Sequence, residues 1–211
     1  NLHGGKLPEY RGSSPMNWVL LNNERTFTIT IIKVNEGVDT GDILDQKTFA
    51  IRPEDTIVNL TQIADHYFPK MLINVIKKIE TNSLIPKPQK EKKSSYFPLR
   101  FPEDGIIFFD SLNALEIHNK VRALTSPFPG AFSYYNNRKI KILKSSIPRI
   151  PVFGESGRIY RISEKRGLLV CARDKCIWLN EIVDFNTEKC CMSYFSRYPE
   201  SISVYLHESF H

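Results

Sequence analysis

No apolar run in this chain approaches the length needed to cross a bilayer, and no charged-then-apolar leader precedes a small-residue cleavage site. Neither a membrane partner nor export is indicated, and a cytoplasmic location is expected. Cysteine is scarce: Cys171, Cys176, Cys190 and Cys191 lack both the C-x-x-C spacing of a zinc site and the density of a disulfide-stapled fold. Reduced, inert thiols and no bound metal are therefore expected. Concentrated charge is also missing. The net charge of +6 divides evenly between residues 1–100 and residues 101–211. That balance favours a small anionic ligand slightly over a polyanion and leaves RNA open. No internal repeat is present, and no low-complexity tract beyond one lysine-rich stretch. The chain opens on Asn1 rather than Met, and an N-terminal half is expected to precede it.

What is present reads as alternating structure in one or two compact units. Ser13 or Ser14 can cap a short helix that has Pro15 at its first position and Met16, Val19 and Leu20 on one stripe. Residues 26–34 are β-branched and predict a strand, with a second β-like stretch over 43–51. From Ile57 to Ile79 apolar residues recur at three- and four-residue steps, which predicts an amphipathic helix kinked or divided by Pro69. Residues 83–101 carry Pro86, Pro88 and a mixed-charge run, and read as a linker between a domain over 1–82 and another over 102–211. In the second, a capped helix over 111–124 precedes short strands near 131–135, 139–143, 158–162, 168–172 and 176–179, a spacing that suggests a small barrel.

The chemistry-bearing residues fall in two loops. The first holds Asn1, His3 and the turn Leu7-Pro8-Glu9-Tyr10-Arg11-Gly12, and the second is Gly37-Val38-Asp39-Thr40-Gly41-Asp42, delivered by the 26–34 strand. A carboxamide, an imidazole and a carboxylate in one pocket supply an oxyanion donor, a proton carrier and a proton acceptor for acyl transfer. Each also has a plain alternative: Asn1 as a frayed terminus, His3 as a turn residue and Arg11 as a solvated charge. His66 beside Asp65, and His118 near Glu116, read as helix-surface residues, and Cys190-Cys191 reads as packing. Tyr134, Tyr135, Arg138, Lys139, Lys141 and Lys144 interleave aromatics with bases, which suits RNA, although a strand edge blunted by lysines accounts for them as well.

The run Asn1-Leu2-His3-Gly4-Gly5-Lys6-Leu7-Pro8-Glu9-Tyr10-Arg11-Gly12, with Asp39 inside Gly-Val-Asp-Thr-Gly-Asp, resembles the folate-dependent formyltransferase family. The likeness continues through Pro102-Glu103-Asp104-Gly105, the 117–123 helix and Pro129-Gly130-Ala131-Phe132. Where the family usually has Ser-Leu before Leu-Pro, this chain has Gly5-Lys6. The resemblance implies an α/β chain: the C-terminal part of a Rossmann-like formyltransferase domain, followed by a small OB-like β-barrel domain. It implies Asn1, His3 and Asp39 as the catalytic residues, and 10-formyltetrahydrofolate as the formyl donor, held by Gly37, Val38, Thr40, Gly41 and Asp42. It also implies an acceptor-side wall of Leu7, Pro8, Tyr10, Arg11 and Gly12, with Arg11 as an anchor for acceptor phosphate. In that scheme Asn1 is a fixed amide donor, His3 steadies the developing oxyanion and moves a proton to the leaving nitrogen, and Asp39 orients His3 and accepts the proton of the attacking amine.

The family's branches act on methionyl-tRNA, glycinamide ribonucleotide and nucleotide-linked amino sugars. The amino-sugar acceptor is the expectation here, because no domain is strongly basic. Methionyl-tRNA is the alternative, and a non-catalytic scaffold is a second. A homodimer is left open. The first strands and helices of the family's catalytic domain are missing from these residues, so the chain by itself is expected to be inactive.

Overall fold

The computed structural model describes residues 1–195, and the chain parts after Arg100 into two compact units. Residues 196–211 of the expected second domain lie outside the described residues.

In the first unit, β1 (Leu2–His3), β3 (Thr26–Ile32) and β4 (Ile43–Ala50) form an antiparallel sheet in the order β1-β3-β4. A parallel pair joins β2 (Arg11–Gly12) to β5 (Tyr96–Phe97). Six of the seven residues of β3 are buried, as a strand covered on both faces requires. The helices α1 (Pro15–Leu21) and α2 (Ile57–Glu80) pack on it, and Val19, Leu20, Phe27, Ile29, Ile31, Leu60 and Ala64 form the interior. The polar residues of β3 are satisfied locally: the Thr28 and Thr48 hydroxyls meet at 2.8 Å, and Thr30 Oγ1 donates to the Gly5 carbonyl at 2.7 Å.

Two local expectations change. Ser14 occupies the cap position of α1 in the left-handed region, without a side-chain capping bond, and Pro15 alone marks the helix start. The helix α2 runs unbroken from Ile57 to Glu80 through Pro69. Pro69 is exposed, so water can satisfy the carbonyl that loses its helical donor. The segment read as a linker lies along the first unit. Lys87 exchanges backbone hydrogen bonds with Ile43, and β5 pairs with β2.

In the second unit, Asn113 and Glu116 cap α3 (Ala114–Leu124) reciprocally: the Asn113 side chain accepts from the Glu116 amide at 2.9 Å, and the Glu116 carboxylate accepts from the Asn113 amide at 2.7 Å. Five antiparallel strands follow: β6 (Ala131–Tyr135), β7 (Arg138–Ser146), β8 (Ile159–Ser163), β9 (Gly167–Cys171) and β10 (Cys176–Asp184), in the order β6-β7-β10-β9-β8. Asn136 and Asn137 both take positive φ between β6 and β7, as the tight turn of a two-residue hairpin demands. Phe109, Ile117 and Val121 fill the interior with Ile140, Ile142, Leu168, Val170, Ile177 and Leu179. Among the described residues the outer strands β6 and β8 are not joined, so the sheet is open. The β9–β10 register sets Cys171 opposite Cys176 and joins them in a disulfide, which corrects the expectation of four reduced thiols; Cys190 and Cys191 are free.

Candidate active site

Strand pairing sets the first part of the site. Leu2 and His3 lie opposite Ile31 and Thr30, while the Asn1 backbone nitrogen donates to the Ile32 carbonyl at 2.9 Å. The period-2 alternation of an extended strand then places the side chains of Asn1 and His3 on one side of β1. The loop after β3 brings Asp39 back to them. Gly41 makes this return possible: a Cβ there would fall inside contact distance of the Lys33 carbonyl. Asp39 itself is in the left-handed region, with φ 53°, which aspartate tolerates better than most residues.

Three groups converge on the Asp39 carboxylate. Asn1 Nδ2 donates to Oδ1 at 3.2 Å and the Gly12 amide donates to Oδ2 at 2.8 Å, while His3 Nδ1 stands 3.6 Å from Oδ2. Behind the loop, Gln89 Nε2 donates to the Asp39 carbonyl at 2.7 Å. His3 is 5% exposed, and its Nε2 meets the Tyr10 carbonyl at 2.6 Å. A carbonyl only accepts, so Nε2 carries a proton, and Nδ1 is the nitrogen turned to Asp39. Gly5 clears the space for that contact: a Cβ there would lie 2.8 Å from both His3 Nε2 and the Tyr10 carbonyl. Asp39 is partly exposed, and Asn1 Nδ2 has a second hydrogen beyond the one given to Asp39.

The residues expected on the donor side lie on the loop that carries Asp39. Gly37 and Val38 are exposed on the loop, Thr40 Oγ1 donates to the Asn35 side chain at 2.6 Å, and the Asp42 carbonyl accepts from the Lys33 amide at 2.9 Å. The acceptor-side residues mostly face inward. Leu7, Pro8, Tyr10 and Arg11 are buried, and Gly12 touches the centre through its amide. Burial pushes the Tyr10 phenol up to about 12, so it acts as a neutral hydroxyl and donates to Glu24 at 2.8 Å.

Arg11 requires a correction. Instead of pointing to an acceptor phosphate it is fully buried, and all five of its N–H groups are used. Two go to Gln89 Oε1 at 3.1 and 2.9 Å, two to the Glu91 carboxylate at 3.1 and 2.7 Å, and one to the Tyr96 hydroxyl at 2.9 Å. The two-pronged contact holds the Glu91 carboxyl below its ordinary range and raises the guanidinium above its own. Gln89, Glu91 and Tyr96 all come from the segment read as a linker. No pattern there announces them, because their partner lies about eighty positions earlier in the chain.

The other candidates settle into structural contacts. Lys70 Nζ donates to His66 Nε2 at 2.6 Å on the surface of α2, and His118 Nδ1 meets Ser145 Oγ at 3.0 Å. β7 is an inner strand rather than an edge. Lys139 sits 3.7 Å and 3.6 Å from the ring centres of Phe132 and Phe185, and Lys141 pairs with Glu188 at 2.6 Å. Among the described residues no cluster of His, Cys, Asp and Glu could hold a metal ion.

Comparison with known proteins agrees with this geometry. Residues 1–76 match the family model described as "Formyl transferase", and residues 101–197 match "Formyl transferase, C-terminal domain". The bifunctional polymyxin resistance protein ArnA of Wigglesworthia glossinidia brevipalpis is 41% identical over 155 residues, which are 70% of this chain and 22% of that protein. The methionyl-tRNA formyltransferase of Syntrophus aciditrophicus is 32% identical over 197 residues, 93% of this chain and 62% of that enzyme. The chain thus spans less than two thirds of either relative. The crystal structure of an N-formyltransferase from Helicobacter canadensis, in complex with folinic acid and dTDP-3-aminofucose, superposes with a TM-score of 0.69 at 27% identity, covering 84% of this chain and 64% of that one. With both family models placed in order along the chain, and with a carboxamide and an imidazole meeting one carboxylate in the stretch matched by the first, the chain belongs to the formyl transferase family.

Proposed function

We propose that the protein carrying this chain transfers a formyl group from 10-formyltetrahydrofolate to the amine of a nucleotide-linked amino sugar. The observation that carries the reading is the meeting of Asn1 and His3 on Asp39. The donor supplies the carbon that the amine attacks. Asn1 keeps one amide hydrogen on Asp39 and offers the other to the oxygen on which charge develops. Asp39 takes the proton that the amine must lose after it adds, and His3, held by Tyr10, shares that proton at Nδ1; collapse of the tetrahedral species then breaks the bond between the formyl carbon and the folate nitrogen, which takes up the proton as tetrahydrofolate leaves. Gly37, Val38, Thr40, Gly41 and Asp42 are proposed as the donor-side loop. The 7–12 turn is proposed as a stiff acceptor-side wall, without the phosphate contact first expected of Arg11.

The amino-sugar acceptor is supported by the fold shared with the Helicobacter enzyme seen with an amino-sugar nucleotide. The even charge of the chain also supports it. Methionyl-tRNA is a second reading, supported by the 32% identity to the Syntrophus enzyme over nearly the whole chain. In the same scheme the five-stranded sheet belongs to an OB-like barrel, and the protein works in the cytoplasm. The test is turnover by the full gene product, with 10-formyltetrahydrofolate and either a nucleotide-linked amino sugar or methionyl-tRNA. Formylated sugar nucleotide with no formylated tRNA supports the reading. Formylated tRNA alone, or salt-steepened tRNA binding with no sugar turnover, overturns it in favour of the second.

A further inference from the structure

Gln89 stands between Arg11 and the loop that carries Asp39. Its Oε1 accepts two hydrogen bonds from the guanidinium, and its Nε2 donates to the Asp39 and Gly41 carbonyls, both at 2.7 Å. The orientation of the amide is forced, because a guanidinium only donates and a backbone carbonyl only accepts. Arg11 is itself fixed by Glu91 and Tyr96, and the residue after it, Gly12, donates its amide to Asp39 Oδ2 at 2.8 Å. One rigid assembly therefore grips Asp39 at both ends, at the backbone carbonyl through Gln89 and at the carboxylate through Gly12. A left-handed aspartate on an otherwise exposed loop needs such restraint to hold one conformation.

The structure assigns Arg11 and Gln89 as a positioning pair that fixes the Asp39 loop and thereby aims the carboxylate at Asn1 and His3. The assignment rests on the proposed function only in taking Asp39 as the working carboxylate. Neither residue touches a reacting atom, and both act through the loop. Gln89→Leu removes the two donors to the loop, whereas Gln89→Glu keeps the acceptor for Arg11 and loses the same donors at neutral pH.

The test compares both variants with the parent in the full gene product, by amide hydrogen exchange and by steady-state kinetics. Three neighbouring amides form an internal control. The Arg11 and Ser13 amides donate to the Ser95 and Phe97 carbonyls in the β2–β5 pair, while the Gly12 amide between them donates only to Asp39 among the described contacts. Exchange at Gly12 is expected to rise about tenfold or more in both variants, as loss of a buried hydrogen-bonded anchor implies. Arg11 and Ser13 keep their protection. Formyl transfer is expected to lose at least about tenfold in kcat, with KM for the acceptor amine within about twofold. An unchanged Gly12 amide overturns the assignment, as does equal loss of protection at all three amides, which would mean general loosening. Selective exposure of Gly12 in a protein whose parent form transfers no formyl group upholds the positioning pair and overturns the function instead.

Discussion

His3 Nδ1 and the Asp39 carboxylate stand 3.6 Å apart, and the far side of the imidazole is pinned by the Tyr10 carbonyl at 2.6 Å. The ring can neither swing away nor reverse without giving up a buried hydrogen bond. In the proposed mechanism, proton exchange is thereby confined to the face shared with Asp39.

Replacing that carboxylate is therefore the most direct test. Asp39→Asn keeps the size of the side chain and an acceptor for the Gly12 amide, and removes the negative charge and the proton acceptor. A loss of roughly 10²–10⁴ in kcat/KM is expected from the full gene product, with a thermal midpoint near that of the parent. Equal turnover by the variant would remove Asp39 from the chemistry.

Asn1→Ala deletes a single amide donor. The expected fall in kcat is about 10²–10³, the cost of one oxyanion donor, with KM for the formyl donor changed far less. A variant that loses affinity but keeps kcat would make Asn1 a binding residue only.

Gly5→Ala tests the clearance beside the imidazole. The added methyl would meet His3 Nε2, the Tyr10 carbonyl and Pro15 Cβ, each at 2.8 Å. Two of these belong to a buried ring and a paired backbone, so relief requires His3 to move. A stability loss of about 1–3 kcal/mol in chemical denaturation is expected, together with a displaced imidazole in a crystal structure of the variant.

The Arg11–Glu91 contact makes a prediction about pH. Arg11 holds the Glu91 carboxyl below its ordinary value of 4.5, so its contribution is fully present above that value and is lost as the pH falls through the lowered one. Glu91→Gln is then expected to melt below the parent at neutral pH and to approach it in strong acid. A gap that stays constant with pH would show that the charge of Glu91 contributes nothing.

How much of this could be read beforehand follows from how local each determinant is. The strand over 26–32, the helix from Ile57 and the capping box at Asn113 and Glu116 are written in residues within a few positions of one another, and periodicity and capping reveal them. The meeting of Asn1, His3 and Asp39 came from family resemblance, because strand pairing across the sheet creates it and no local pattern encodes it. The role of Arg11 was misread for the same reason. An arginine beside a turn looks solvated until Gln89, Glu91 and Tyr96 are folded over it. The Cys171–Cys176 pairing was missed because an x₄ spacing matches no metal motif, although a tight β9–β10 hairpin sets the two residues face to face.

The short strand β1 makes interval as consequential as identity. Leu2 alone separates two side chains that must emerge on the same side, and inserting a single residue before His3 would send the imidazole to the opposite surface while leaving every amino acid in place. Such a lengthened protein would hold every ingredient of the proposed centre and leave it unassembled.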